Sequence, residues 1–199
     1  MSTRWLAALG LASLCLLASA CSSNSNSTTT TTTTPPIPST TSTTSPATAT
    51  ATALCTGPNV GVSGTMASAA AGHQGVVLLF VNHGATNCVL YGYPGVAGLD
   101  AGGAQAVQAQ RTLTGMMGGL APGVTTLPRI TLAPGQTASA VVEGTDVPSG
   151  TETSCPTYPS LLVTAPNTKV SVTVPQSLPG CSGLQVHPVV PGTSGSTQS

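Results

Sequence analysis

The sequence predicts an all-β domain built as an antiparallel β-sandwich, and three observations support this. Short apolar or alternating runs recur along residues 54–192, as strands require. Turn signals such as Pro122-Gly123 and Pro134-Gly135 separate these runs. Only 4% of the residues are charged, which disfavours amphipathic helices because their solvent face is usually rich in charge. Strands at this spacing are typical of an immunoglobulin-like sandwich.

The clearest predicted strand is the apolar run at residues 76–81, which ends at the turn signal Asn82-His83-Gly84. Residues 169–174 alternate between polar and apolar, as a strand with one solvent-facing side should. Further β-rich stretches lie at residues 88–91, 104–111, 129–132, 137–142, 161–164 and 184–190. We therefore expect about eight strands in one domain.

Residues 1–20 are predicted to be a lipoprotein signal peptide. Arg4 supplies a positive charge, and the apolar core at residues 5–17 is too short to span a bilayer stably. The small residues 18–20 directly precede Cys21 and resemble a bacterial lipobox. That resemblance implies cleavage before Cys21 and attachment of diacylglycerol to its thiol. The alternative is an ordinary secretory signal that leaves Cys21 as a free thiol.

The segment that follows is predicted to be a disordered linker, so that residues 21–53 comprise the lipidated cysteine and its tether. Residues 22–53 are almost entirely Ser, Thr, Pro, Ala and Asn and have too little apolar surface to offset the entropy of ordering them. A flexible coil of this length reaches about 30 Å. The composition also resembles O-glycosylated stalks, so a bare and a glycosylated linker are both open. Residues 193–199 are predicted to be a disordered tail.

The charge balance limits the possible partners. Without the signal peptide the cations are Arg111, Arg129 and Lys169, against four acids, and the net charge is 3 − 4 = −1. Three scattered cations cannot neutralise a run of phosphates, which argues against nucleic-acid binding. They also cannot hold the chain to anionic headgroups. Membrane contact is expected through the lipid anchor alone.

Four cysteines remain beyond Cys21, namely Cys55, Cys88, Cys155 and Cys181. An even number in an exported chain indicates two disulfides, for which three pairings are possible. We favour Cys55–Cys88 and Cys155–Cys181, because each would join an end of the domain to a neighbouring strand. No Cys-x-x-Cys pair occurs, which argues against a metal or redox site.

No motif for catalysis, cofactor binding or metal binding is evident. His73, His83 and His187 lack metal-ligand spacing and are expected at surface or turn positions. Gly-x-Ser-x-Gly is absent, and the four acids are expected in loops or at strand ends. The glycine-rich stretch 115–119 lacks the lysine of a phosphate loop and is expected to be a flexible loop.

Aromatic residues are scarce as well. The mature chain would have no Trp, one Phe and three Tyr, which argues against ligands that stack on exposed rings, such as carbohydrates and single-stranded nucleic acids. Tyr91 and Tyr93 are expected to be a packed pair on one side of a strand, beside the Pro94-Gly95 turn.

Several motifs together resemble a secreted domain of unknown function that is common in actinobacterial lipoproteins, including mycobacterial ones. They are Phe80-Val81-Asn82-His83-Gly84, a Gly-Tyr-Pro-Gly-Val run at residues 92–96, Leu132-Ala133-Pro134-Gly135, and His187-Pro188-Val189 after Cys181. His83 departs from the pattern, where a small polar residue is usual, and no tryptophan follows Gly135. The resemblance implies a β-sandwich with two disulfides and an envelope location, and it implies no established activity.

The sequence therefore favours a non-enzymatic envelope lipoprotein, anchored in the cell membrane at its extracytoplasmic face. It would be a binding or structural module whose partner is an envelope protein or a glycan. Two alternatives stay open at this point. One is an envelope hydrolase whose triad assembles only in space, and the other is a carrier that holds an apolar ligand between its sheets.

Overall fold

A computed structural model describes residues 51–198. The predicted signal peptide, the predicted lipidation site Cys21 and the linker up to residue 50 lie outside this range. A short 3-10 turn at Gly57–Asn59 is followed by strands only. The strands are β1 (Val60–Ala70), β2 (His73–Asn82), β3 (Cys88–Tyr91), β4 (Gly95–Leu99), β5 (Gln105–Gln108), β6 (Gln110–Arg111), β7 (Arg129–Leu132), β8 (Thr137–Thr145), β9 (Thr157–Tyr158), β10 (Ser160–Thr164), β11 (Ser171–Val174), β12 (Leu178–Pro179), β13 (Cys181–Val186) and β14 (Val190–Pro191).

These strands form two layers. The first is a six-stranded sheet in the order β1-β2-β8-β13-β6, with β14 paired to β8. The second consists of a four-stranded sheet in the order β11-β10-β4-β5 and the two-stranded ladder β3-β7. The short pair β12-β9 completes the pairing, and all strand pairs are antiparallel except β6-β13. The predicted all-β, sandwich-type fold is therefore confirmed, with one parallel pair that was not expected.

The core lies between the layers and is made by every second residue of each strand. Leu78, Phe80 and Val142 of the first layer are completely buried against Leu161 and Val163 of the second. Because successive side chains of a strand point to opposite faces, the residues between them lie on the outer face of the first sheet. That outer face carries the candidate site.

The predicted strands differ from the observed ones where the sequence pattern of a segment does not indicate which strand it pairs with. Strand β1 was not predicted, because its Gly, Ser and Ala residues give no β signal, yet it pairs with β2 along nearly its whole length. Strand β4 begins at Gly95, which was assigned to a turn. The single strand predicted at residues 104–111 is two strands, because β5 pairs with β4 and β6 pairs with β13 in the other layer.

Both predicted disulfides are present. Cys55 and Cys88 lie 4.8 Å apart and Cys155 and Cys181 lie 4.6 Å apart, measured between Cα atoms. The first joins the segment before β1 to the start of β3, and the second joins the segment before β9 to the start of β13. Each bridge thus fastens a terminal or loop segment, with little regular pairing of its own, to a strand.

The prediction of a disordered tail is wrong for residues 193–198. The buried Gly195 accepts a hydrogen bond from the Gly119 N–H at 3.0 Å and donates one to Ser139 Oγ at 2.8 Å. The Gln198 side chain donates to the Gly118 carbonyl at 2.7 Å. These hydrogen bonds hold the segment against β8 and the chain at Gly118 and Gly119. The described residues include no helix long and apolar enough to cross a membrane.

Candidate functional site

The candidate site is centred on Glu143, which lies within β8 and not in a loop or at a strand end as predicted. Glu143 pairs with Gly75 of β2 on one side and with Gln185 of β13 on the other. Its neighbours along the strand face the core, so Glu143 points to the outer face of the sheet. It is nevertheless only 2% exposed, because the chain at residues 112–120, here called the 112–120 loop, covers it.

Backbone donors of this loop hold the carboxylate. The Met116 N–H donates to Glu143 Oε1 at 3.1 Å, and the Met117 N–H donates to Oε2 at 2.6 Å. Two successive backbone N–H groups that converge on one anion form a small anion-binding concavity. Here the anion belongs to the protein itself, so the loop is fastened to the sheet by charge-assisted hydrogen bonds.

Two histidines flank the same carboxylate. His187 is completely buried, and its Nε2 lies 3.4 Å from Glu143 Oε2. His73 is partly exposed, and its Nδ1 lies 3.8 Å from Glu143 Oε1. The other ring nitrogen of His187 lies 3.1 Å from Thr112 Oγ1 and 3.3 Å from the Thr112 carbonyl. The Thr112 hydroxyl can either donate to Nδ1 or accept from it, whereas the Thr112 carbonyl can only accept, so the donor and acceptor roles follow the tautomer of the ring.

The electrostatics favour an ionised Glu143. Burial raises the pKa of this carboxyl, but the His187 ring and the N–H groups of Met117 and Met116 lower it by more, so its pKa lies below the ordinary value for Glu. A carboxylate that accepts several N–H bonds is stabilised in its charged form. The cluster is thus a buried carboxylate that two backbone donors of one loop hold, with the ring of one histidine beside it.

The glycines of the 112–120 loop allow this close approach. A Cβ atom added to Gly115 would overlap the His187 ring and come within 2.5 Å of Glu143 Oε1. Gly119 has φ +95, and a Cβ there would meet the Leu113 carbonyl at 2.5 Å. The expectation of a flexible loop is therefore wrong. The glycines are required because the backbone packs directly on buried side chains, which larger residues would prevent.

Next to the cluster is a cavity of about 40 Å³, lined by His73, Glu143, Gly144, Thr145, Cys181, Ser182, Gly183 and Gln185. This volume has room for one or a few water molecules. Binding sites for drug-sized molecules are roughly 300–1,000 Å³. The cavity is therefore smaller than the pockets that enclose drug-sized molecules.

The cluster has the residue types of a catalytic triad without its geometry. A hydroxyl, a histidine and a carboxylate are present in Thr112, His187 and Glu143, but His187 has no exposed surface. A general base must reach a substrate proton directly or through one water. Both oxygens of Glu143 are also occupied by backbone donors. The described residues contain no group of three or more His, Cys, Asp or Glu side chains suited to a metal ion.

A second feature of the surface is a pair of tyrosine–arginine stacks. The guanidinium carbon of Arg129 lies 5.2 Å from the centre of the Tyr91 ring, and that of Arg111 lies 5.9 Å from the Tyr93 ring. Tyr91 ends β3 and Gly92, with φ +98, turns the chain before Tyr93. The expected pairing of the two tyrosines on one strand is therefore wrong. Burial raises the pKa of Tyr93, which Arg111 offsets only in part.

The structure brings together residues that the sequence keeps apart. His73 and His187 were expected at unrelated surface positions, yet both lie against Glu143, while His83 covers Gly61 elsewhere on the sheet. The pairing of β2 with β8 and of β8 with β13 makes them neighbours. The one feature of the sequence that could have indicated this cluster is the isolated Glu143 at the end of an apolar run. A carboxylate in such a run needs a partner when it is buried.

Comparison with known proteins gives one match. A family profile described as Domain of unknown function (DUF4232) matches residues 55–190, which is more than half of the chain. Searches of the curated proteins and of the solved structures find no match. The match agrees with the predicted single domain of unknown function, and the actinobacterial and lipoprotein parts of that prediction stay predictions.

Proposed function

This chain belongs to the DUF4232 family, and from that premise we propose that it is a lipid-anchored, non-enzymatic binding or structural module of a cell envelope. The acyl chains would be attached to Cys21, and the linker would hold the domain at the extracytoplasmic face of the membrane. The partner would be an envelope protein or glycan. No cofactor is required for this role.

The observation that carries the non-enzymatic part is the closed Glu143 cluster. The histidine nearest the carboxylate is completely buried, and both carboxylate oxygens accept backbone N–H groups. Such a cluster stabilises a loop, and the completely buried His187 cannot reach a nucleophile at the surface. The adjoining cavity is smaller than the pockets that enclose drug-sized molecules. This arrangement supports a structural role for the residues that a hydrolase would need.

The alternative of a carrier for an apolar ligand is weaker than the proposed role. A carrier requires an apolar cavity, and the space between the sheets is occupied by fully buried side chains such as Phe80, Leu78 and Leu161. The open groove of about 410 Å³ between β7 and β14, lined by Ile130, Thr131, Leu132, Gln136, Thr137, Pro191, Gly192 and Thr193, is the place where such a ligand would have to bind. It lies at the surface and would leave most of an apolar ligand in water.

The anchor is tested by metabolic labelling with an alkyne fatty acid, followed by intact-mass measurement. Wild-type protein should carry the label and partition into detergent, because two or more acyl chains give stable attachment. Cys21→Ala should lose the label, and Ser22→Ala serves as the matched control that keeps it. An unmodified Cys21 in the membrane fraction would refute the anchor.

The non-enzymatic role is tested with fluorogenic esters. Turnover of these esters by the wild type that is abolished in Glu143→Gln would refute this role.

A further inference from the structure

The cations of the described domain are placed unusually. Arg111 and Arg129 are both exposed and both lie over tyrosine rings. Among residues 51–198, the close contacts between acidic and basic side chains join Glu143 to His73 and His187, and neither arginine takes part in one. A guanidinium group that stacks on a ring keeps its N–H donors at the edge, directed away from the ring face.

The carboxylates are engaged elsewhere. Asp100 Oδ1 accepts the N–H groups of Gly102 and Ala104 in its own turn, and Asp146 Oδ2 accepts from the Gln74 side chain. Glu143 holds the 112–120 loop. The positive charge around Tyr91 and Tyr93 is therefore not compensated within residues 51–198 by any of these acids.

The two stacks are close together. Tyr91 and Tyr93 are separated by one residue, so their Cα atoms lie at most about 7 Å apart. Asn167 donates a hydrogen bond to the Tyr91 carbonyl at 3.0 Å, which places the turn between β10 and β11 beside them. Lys169, the third cation of the domain, lies two residues further along that turn and is exposed. The two tyrosines, each with its own arginine, and the turn that carries Lys169 are thus neighbours along the backbone.

We propose that Tyr91, Tyr93, Arg111 and Arg129 form a binding surface for a polysaccharide that carries carboxylate groups. This inference rests on the proposed function and names the class of partner. Each guanidinium group would bind a carboxylate, for which its planar fork is suited. Tyr91, which is 38% exposed, would pack against the apolar face of a sugar ring. Tyrosine and arginine are also the residue types most enriched where binding energy is concentrated.

The combination of tyrosine rings and guanidinium groups favours an acidic polysaccharide over other partners. Nucleic acid requires a longer row of cations than two or three. An acidic peptide would supply the charge but no flat, partly apolar ring for Tyr91. A neutral glycan would leave both arginines without an anion. The scarcity of aromatic residues argued against carbohydrate binding, but the sequence could not show that two of the three tyrosines lie on the surface beside cations.

The test measures binding of the purified full chain, in a non-ionic detergent, to immobilised polygalacturonate. Neutral dextran and polyglutamate are the comparison ligands. We expect binding to polygalacturonate that exceeds binding to both others and weakens as salt is raised. Arg111→Gln with Arg129→Gln should lower the affinity about tenfold or more, and Tyr91→Ala should lower it while Tyr91→Phe should not. Arg129→Lys should also weaken binding, because lysine keeps the charge without the fork.

A matched variant separates a local site from overall charge. Arg129→Gln combined with Glu152→Gln has the net charge of the wild type, so its binding should stay as weak as that of Arg129→Gln alone. Restored binding in the combined variant would overturn the proposal, as would equal binding to dextran, stronger binding to polyglutamate or no binding at all. Thermal unfolding of each variant checks that the fold is intact. Because this assay does not depend on lipid at Cys21, failure of the anchor and failure of the site are distinguishable.

Discussion

His187 lies with its Nε2 atom 3.4 Å from Oε2 of Glu143, and the two side chains are 0% and 3% exposed, respectively. Removing two such groups from water is costly, and the cost is offset only when the remaining polar atoms find partners. The N–H groups of Met116 and Met117 are the partners of the carboxylate, whereas Nε2 of His187 makes no hydrogen bond to the described residues. The pair therefore stabilises the 112–120 loop, and the loop in turn keeps water from the pair.

Glu143→Gln should destabilise the domain. The amide keeps the shape of the carboxylate but offers one acceptor oxygen to two N–H donors, so one donor loses its partner. We expect the free energy of unfolding to fall by about 1.5–3 kcal/mol, the range for hydrogen bonds to charged groups. Urea denaturation measures this. The control is Glu152→Gln at an exposed position, which should change stability by less than about 0.5 kcal/mol. Equal effects of the two substitutions would contradict the role of Glu143 in holding the 112–120 loop.

The contribution of Glu143 should depend on pH in a defined direction. Its folded-state pKa lies below the ordinary value, so the folded protein keeps the carboxylate ionised where the unfolded chain binds a proton. The stabilisation is thus complete above about pH 4.3, the unfolded pKa, and is lost as the pH falls through the lower folded-state pKa. The stability difference between wild type and Glu143→Gln should narrow as the pH falls below about 5. If the stability difference between the two proteins widened as the pH fell, the predicted direction would be wrong.

Gly115→Ala should loosen the loop. The added methyl group would overlap His187 and the Glu143 carboxylate, and overpacking of this kind costs about 1–3 kcal/mol. Amide hydrogen exchange should become faster at Met116 and Met117, whose N–H groups bind Glu143. The control is Gly102→Ala, where the nearest heavy atom would be 3.3 Å away and belongs to the exposed Asp100. Unchanged exchange at both methionines would show that the loop tolerates the methyl group.

Removing residues 193–199 should expose part of the outer face of β8. Ser139 would lose the N–H donor of Gly195, and Gly119 would lose its backbone partner. We expect a lower midpoint of thermal unfolding and faster amide exchange at Gly119. Ser194→Ala is the control, because that side chain bonds only within the segment. Truncation without effect on either measurement would mean that the segment does not contribute to stability.

Both disulfides should be needed for full stability. Replacing Cys88 by Ser opens a bridge that spans 33 residues of sequence, and replacing Cys155 by Ser opens one that spans 26. Loss of a native disulfide from a small exported domain typically costs about 2–5 kcal/mol. Peptide mapping under non-reducing conditions should recover a 55–88 and a 155–181 crosslink. A crosslink between Cys55 and Cys181 would refute the pairing.

The sequence predicted the strands whose own side chains carry the signal. Residues 76–81 form part of β2, and this run is apolar because β2 lies in the interior of the first sheet, with both faces largely covered. Strand β1 carries no such signal, because it is an edge strand of small residues, most of which are partly or fully exposed. Its strand conformation comes from pairing with β2, which is a contact between segments and not a property of either one.

The sequence by itself determined the all-β class through its strand and turn patterns and its low charge, and it determined the number of disulfides through the cysteine count. These features depend only on which residue types are present and on their order. The Glu143 cluster and the tyrosine–arginine stacks were decided only by tertiary structure. Glu143 meets His187 because β13, which ends one residue before His187, returns antiparallel to β8. Arg129 lies over Tyr91 because β7 pairs with β3 in register. Strand pairing and register depend on the free energy of the whole sheet, including the loops that close it, so local sequence does not reveal which distant side chains will meet.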